Sequence, residues 1–152
     1  MTVLLLSTAL LAFLGMEFWA AFVHRRLYHG VFWSIHRTHH RPRRGAFEMN
    51  DIFVIAHALA AMAIVFAGLY FTVPLLTAAG AGISLYGILY ALLHDGYVHA
   101  RLPLQWLERW SVFRALKEAH LYHHIGDPDA HFGLLFWNTK PVRRDAHKTE
   151  QR

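Results

Sequence analysis

Three long apolar runs constrain this chain more than any other feature of its sequence. They occupy residues 3–23, 52–73 and 75–93, and their only charged residue is Glu17. A spanning helix needs about 20 mostly apolar residues, because the hydrocarbon core of a bilayer is about 30 Å thick. A helix of a soluble bundle would carry a polar stripe, which the run 75–93 almost entirely lacks. The sequence therefore predicts an all-α integral membrane protein of one domain with three clear spans and a polar tail at about 138–152.

Local signals refine the three spans. Pro74 separates the second run from the third and cannot continue a helix, which predicts a tight hairpin. Gly80 and Ser84 are small residues four apart, a spacing that lets membrane helices approach closely. The first run has no positively charged segment before it and continues directly into His24. We therefore interpret it as a retained span and not as a cleaved signal peptide.

The basic residues predict an orientation in the membrane. All 15 Lys and Arg residues lie in two stretches, 25–44 and 101–152. The positive-inside rule places both stretches, and the C-terminus, in the cytoplasm and the N-terminus outside. The net charge of +5 then reflects orientation and contact with anionic membrane lipids. Nucleic-acid binding would leave the apolar runs unexplained, so no nucleic-acid partner is expected.

The segment 104–124 carries too many charged residues for a fourth clean span. Its apolar side chains nevertheless recur at helical spacing: Trp106, Leu107, Trp110, Phe113 and Leu116. This pattern is typical of an amphipathic helix in the membrane interface, with Trp near the lipid headgroups. A partly polar re-entrant helix is the alternative.

Histidine is the second unusual feature, since the chain has 13 His and no Cys. Ten of the histidines form four clusters, ordered H-x4-H, H-x2-H-H, H-x4-H and H-x2-H-H. They are His24 and His29; His36, His39 and His40; His94 and His99; and His120, His123 and His124. The predicted topology places all four clusters at the cytoplasmic face. Ten imidazoles suit two metal ions with about four or five ligands each, of iron, zinc, copper or nickel. The missing Cys excludes thiolate-held clusters and Cys-ligated haem.

The spacing within the clusters predicts their geometry. Positions i, i+3 and i+4 share one face of an α-helix, so each H-x2-H-H cluster is predicted to point its side chains in one direction. Positions i and i+5 diverge by about 140° on an ideal helix. One member of each H-x4-H pair is therefore predicted past a helix end or in a distorted turn, which Gly30 and Gly96 would permit.

Imidazole ligands usually donate their other N–H group to a carboxylate or a carbonyl. Candidates for such a supporting role lie beside the clusters or within the spans: Glu17, Asn50, Asp51, His57, Asp95 and His131. His57 is an ionisable group inside the second span, which by itself favours a functional role. It would support a ligand or bond to Glu17 across helices. His131 is also a candidate ligand.

The four clusters resemble those of the membrane-bound fatty-acid hydroxylase and sterol-desaturase superfamily. Within it, three stretches are similar to the bacterial beta-carotene hydroxylases. They are Gly15-Met-Glu17; Arg43-Arg-Gly-Ala-Phe-Glu48 followed by Asn50-Asp51; and His94-Asp-Gly-Tyr-Val-His99-Ala-Arg-Leu-Pro103. The resemblance covers about residues 15–133. After the last cluster the chain matches the family pattern only in part.

The resemblance implies a non-haem diiron centre held by the ten clustered His, with O2 as co-substrate and without haem or flavin. It implies a monooxygenase of the bacterial inner membrane that hydroxylates C3 of the beta-ionone rings of beta-carotene, giving beta-cryptoxanthin and zeaxanthin. No catalytic residue beyond the metal ligands is expected. Lacking Cys and a nucleotide-binding glycine motif, the chain must take electrons from outside, by resemblance from ferredoxin with its reductase. The Arg-rich face is a candidate dock for an acidic carrier. The carotenoid is expected to enter from the bilayer past Phe18, Phe22 and Tyr90.

Two alternatives remain open at this point. A hydroxylase or desaturase of another lipid, such as an acyl chain or a sterol, would carry the same clusters. A metal-binding membrane transport protein would hold its ion near the bilayer midplane, whereas these clusters lie beyond the ends of the predicted spans.

Overall fold

The computed structural model describes residues 1–42, 45–126 and 132–135, and within them the chain is helical, with no β-strand. The α-helices are α1 (Thr2–Val23), α2 (Trp33–His36), α3 (Asp51–Tyr70), α4 (Pro74–Tyr90) and α5 (Ser111–Ile125). Two π-helical segments, His24–Val31 and Ala91–Val98, directly continue α1 and α4. A 3-10 helix, Gln105–Arg109, precedes α5.

Three helices are long and apolar enough to cross a membrane, which confirms the three predicted spans. They are Thr2–Val31, Asp51–Tyr70 and Pro74–Val98. Large apolar side chains cover their outer faces, as at Leu11 and Phe66, which are 69% and 66% exposed. Such a continuous apolar surface suits lipid and not water. The first and third helices run further than predicted, because their backbone continues through the polar H-x4-H clusters.

Helix α4 packs against both α1 and α3, and small residues allow the close approach. The turn from α3 to α4 contains Thr72 at a φ of 54°, and Pro74 begins α4, as the predicted hairpin requires. A Cβ atom on Gly80 would lie 2.9 Å from the backbone nitrogen of Val65 in α3. A Cβ atom on Gly82 would meet the carbonyl oxygen of Ala9 in α1. Any larger side chain at either position would push neighbouring helices apart.

The prediction of a single amphipathic helix over 104–124 is wrong, because the segment is interrupted at Trp110. The backbone at Trp110 is extended, with φ −100° and ψ 133°, and it separates the 3-10 helix from α5. Apolar residues of both pieces still share one buried core with the end of the third span. That core comprises Leu93, Tyr97, Val98, Leu107, Leu116 and Leu134. It therefore lies at the end of the molecule that carries the histidine clusters.

Candidate metal centre

His24, His29 and His94 lie in π-helical backbone, and His99 directly follows the second π-helical segment. This is the distorted turn expected from the spacing of the two H-x4-H pairs. The His99 N–H group donates to the His94 carbonyl at 3.0 Å, a hydrogen bond across five residues. Such a turn is wider than an α-helical turn and brings residues five apart onto one side. Gly96 lies within it, and a Cβ atom there would lie 2.9 Å from Leu102 Cδ1, so the Leu102 side chain would have to move to admit one.

The clustered histidines gather into two groups, each with ring nitrogens that all lie within 4.8 Å of one another. The first group contains His24, His29, His36, His40 and His123. The second group contains His39, His99, His120 and His124. The tenth, His94, lies beside the second group, with its Nε2 atom 3.3 Å from His39 Nε2. Each group therefore has the four or five imidazoles that one ion was expected to take.

The Nε2 atoms converge within each group. The closest separations are 3.0 Å for His24–His36, 3.0 Å for His29–His123, 3.1 Å for His99–His120 and 2.8 Å for His120–His124. Imidazoles that turn the same nitrogen toward a common point present a set of lone pairs to one cation. The donor set thus fits two ions of the imidazole-binding transition metals.

The prediction that each H-x2-H-H cluster points one way is wrong, because its middle histidine joins the other group. Positions i+3 and i+4 are about 100° apart around an α-helix and can serve different sites. In addition, α2 ends at His36, so His39 and His40 lie in the turn that follows. His39 crosses to the second group and His123 to the first. Each group therefore contains histidines from both halves of the chain.

The other ring nitrogen, Nδ1, meets an oxygen in four of these histidines. The pairs are His36 with Asn50 Oδ1 at 2.7 Å, His94 with Asp95 Oδ1 at 3.0 Å, His39 with Glu48 Oε2 at 3.3 Å, and His24 with the Phe132 carbonyl at 3.2 Å. A proton held on Nδ1 leaves the Nε2 lone pair free for a metal. Asn50 and Asp95 lie where the sequence placed them. The sequence analysis missed Glu48 and the Phe132 carbonyl as supports, and a backbone carbonyl has no residue-type signal.

Asp51 contacts the histidine groups only indirectly, through Glu48 and Arg101. It accepts the backbone N–H of Glu48 at 3.0 Å and a hydrogen bond from Arg101 Nη1 at 2.8 Å. Arg101 Nη2 also lies 3.4 Å from Glu48. Burial by itself lowers the pKa of Arg101, but the hydrogen bond and charge of Asp51, with the charges of Asp95 and Glu48, outweigh it and raise that pKa above its usual value. This ion-pair network holds the carboxylate that receives His39 Nδ1.

Two further candidates lie deeper in the spans. Glu17 is fully buried and accepts hydrogen bonds from Tyr86 and the Leu135 backbone. His57 does not take the partner suggested for it: its Nδ1 donates to the Phe53 carbonyl at 2.8 Å, and its Nε2 faces Trp19 Nε1 at 3.3 Å. His131 lies outside the described residues.

Burial keeps the clustered histidines beyond the spans uncharged. It lowers the pKa of His36 to about 3, of His40 to about 4 and of His99 to about 3, with neighbouring imidazoles adding to the effect. The pKa values of His39 and His120 are also lowered well below the usual value, for the same reasons. At neutral pH these imidazoles are in the form that ligates metal, and little proton release is needed on binding.

A cavity of about 400 Å³ lies between α1, α3 and α4 and ends at the histidines. His24 and His36 of the first group and His94 beside the second line that end. Most of the remaining wall is apolar. Tyr90 lines the cavity as predicted. The prediction for Phe18 and Phe22 is wrong, because α1 turns Met16, Trp19, Ala20 and Val23 toward the cavity. Phe18 and Phe22 are left 61% and 52% exposed.

Comparison with known proteins finds relatives that are named beta-carotene hydroxylases. Beta-carotene 3-hydroxylase 2, chloroplastic, of Arabidopsis thaliana is 42% identical over 145 residues, 91% of this chain and 47% of that protein. The beta-carotene hydroxylases of Pseudescherichia vulneris and Pantoea ananas are 43% and 40% identical over 76% and 73% of this chain. They are matched over 65% and 63% of their own lengths.

The chain thus spans less than half the length of the chloroplastic relatives it matches and about two thirds of the bacterial ones. No solved structure gives a significant match. The fatty acid hydroxylase family model matches residues 9–139, a range that contains all four histidine clusters. The chain is therefore a membrane protein that belongs to the fatty acid hydroxylase family.

Proposed function

We propose that this protein is a non-haem diiron monooxygenase that hydroxylates C3 of the beta-ionone rings of beta-carotene, giving beta-cryptoxanthin and then zeaxanthin. The observation that carries the proposal is the contact of one apolar cavity with the first histidine group, through His24 and His36, and with His94 beside the second group. A lipid-soluble ring in this cavity would reach both candidate metal sites without entering water. We infer the substrate from the names of relatives that are about 42% identical to this chain.

The all-imidazole donor sets fit iron, and oxidation of an unactivated carbon by O2 requires a redox-active metal. When bound, the two ions would supply O2 activation and the oxidation of the substrate C–H bond. The chain's own histidines would provide neutral nitrogen ligands. Asn50, Glu48, Asp95 and the Phe132 carbonyl fix four of them in the tautomer with Nε2 available.

The cavity would orient the substrate. Tyr28 stacks on Phe53 with ring centroids 4.0 Å apart and an interplanar angle of 18°. The Tyr28 ring also lies 5.4 Å from the His36 ring, so the pair forms a flat wall beside the first group. Such a wall restricts how a substrate ring can lie, and the apolar lining excludes water from the reaction.

Electrons would come from a separate carrier, for which we propose ferredoxin with its reductase. The chain has no Cys for an iron–sulfur cluster. Exposed arginines flank the first two clusters: Arg25, Arg26, Arg37 and Arg41. A basic surface beside the metal sites would attract an acidic protein. By the positive-inside rule this surface would face the cytoplasm from the inner membrane.

The test is pigment chromatography of cells that make beta-carotene together with this chain, ferredoxin and its reductase. Hydroxylated carotenoid is the expected product. Ala58→Phe would place a ring in the cavity and is expected to abolish product while leaving bound iron unchanged. Leu59→Phe is the matched control, since Leu59 is 57% exposed on the outer face of the same helix, and this variant is expected to retain activity.

Two outcomes would overturn the proposal. Unchanged beta-carotene alongside hydroxylated or desaturated acyl chains or sterols would assign the cavity to another lipid. Purified protein that binds no iron, although folded in detergent, would contradict the diiron centre itself.

A further inference from the structure

A short segment after the last cluster, residues 132–135, covers the first histidine group, and we name it the lid segment. The Phe132 ring packs against three imidazoles of that group, with centroids 5.4 Å from His24, 5.3 Å from His29 and 5.1 Å from His123. The Phe132 carbonyl lies 3.2 Å from His24 Nδ1. Phe132 is only 9% exposed. The lid segment thus both shields the group and orients one of its rings.

The lid segment is fastened to a buried carboxylate in the first span. Glu17 has no exposed surface. Its Oε1 atom accepts the Leu135 backbone N–H at 2.8 Å, and its Oε2 atom accepts the Tyr86 hydroxyl at 2.7 Å. An ionisable group inside a span is costly to bury and commonly serves function. Here one oxygen holds the lid segment and the other holds α4.

We propose that Glu17 is a positioning residue that anchors the lid segment and thereby sets the metal affinity of the first group alone. The connection runs from Glu17 to Leu135, along the lid segment to Phe132, and from its carbonyl and ring to His24. The second group is supported separately, through Glu48 on His39, and Asp95 contacts His94 beside that group. The inference rests on the proposed metal centre.

The experiment compares the purified wild-type protein with Glu17→Gln by anaerobic titration of Fe(II) and, as a spectroscopic probe, Co(II). A Gln amide offers one oxygen where Glu17 uses two, and that oxygen is a weaker acceptor, so the bond to the Leu135 N–H is weakened, or lost where the NH2 group faces it. Loss of a group that orients a metal ligand typically lowers metal affinity about 10- to 100-fold. Glu17→Gln is therefore expected to weaken one of the two sites by that factor and to leave the other unchanged.

Hydrogen exchange supplies a readout that needs no metal. In metal-free Glu17→Gln, the amide of Leu135 is expected to exchange about tenfold faster, because its hydrogen bond to Glu17 is lost or weakened. Thr8→Val, which removes another polar group from α1, is the matched control and is expected to change neither exchange nor affinity. Tyr86→Phe leaves the bond to Leu135 in place and should weaken the first site less than Glu17→Gln.

The outcomes separate this inference from the proposed function. Equal weakening of both sites, or a loss in Tyr86→Phe as large as in Glu17→Gln, would show that Glu17 acts through general helix packing and would overturn the inference. Two unchanged sites in Glu17→Gln would also overturn it while leaving the metal centre intact. Wild-type protein that takes up no metal would refute the metal centre instead.

Discussion

Replacing His123 with Ala should empty the metal site of the first group, although the neighbouring His120 and His124 belong to the second. The structure places His123 Nε2 at 3.0 Å from His29 Nε2, and the two rings at 4.8 Å. The side chain is fully buried and lies inside the group rather than at its edge. The clusters as written in the sequence would instead assign all three of these histidines to one site.

The magnitude follows from the role of the ring as a direct ligand. Groups that merely orient a ligand are worth about 10- to 100-fold in metal affinity. A direct ligand should cost at least the upper figure, or about 2.7 kcal/mol. At a metal concentration that just fills the wild-type sites, His123→Ala should therefore retain one ion per chain, and so should His24→Ala and His120→Ala.

Double variants decide which histidines act together. His24→Ala with His123→Ala removes two ligands of the same group and should still retain one ion. His120→Ala with His123→Ala affects both groups and should retain none. The assay is metal content by elemental analysis after anaerobic loading, with protein shown to be folded. The opposite pattern, one ion in the His120/His123 pair and none in the His24/His123 pair, would refute the crossing of ligands between groups.

Three further predictions concern packing, ligand support and pH. Gly80→Ala should lower the stability of the α3–α4 pair by about 1–3 kcal/mol in a detergent unfolding titration, because its Cβ would lie 2.9 Å from a backbone nitrogen of α3. Gly87→Ala is the control and should be neutral, because an added Cβ atom there would have no neighbouring atom within 4 Å. Glu48→Gln should lower the metal affinity of the second group about 10- to 100-fold through its contact with His39, with the first group unchanged. The metal-free protein should lose stability as pH falls below 6.5. Below that pH the histidines of the unfolded chain bind protons, whereas His99 in the folded protein, with a pKa of about 3, does not. Each histidine with a lowered pKa therefore reduces the free energy of unfolding by about 1.4 kcal/mol per pH unit. Stability that is independent of pH between 4 and 7 in thermal unfolding would contradict this.

Residue type and local pattern were enough to predict the membrane helices and the histidines that gather. Hydropathy is a sum over neighbouring residues, so all three spans could be placed, with their starts within one residue of those observed, although the first and third helices continue five to eight residues beyond the predicted ends. The supporting roles of Asn50 and Asp95 followed from their positions next to the clusters. Glu48 was overlooked because it lies in the connection before α3, and only the fold brings it to His39.

The sequence by itself thus determined that this is a helical membrane protein with ten histidines in four clusters, because apolar length and residue chemistry are local properties. Only the tertiary structure decided how the histidines divide. That division depends on the π-helical turns, the end of α2 at His36 and the packing of α5, which bring His39 and His123 across to the opposite groups. The lining of the cavity was likewise decided by helix rotation, which turns Trp19 inward and Phe18 outward. Rotation and long-range packing arise from contacts between distant parts of the chain, so spacing along the sequence does not specify them.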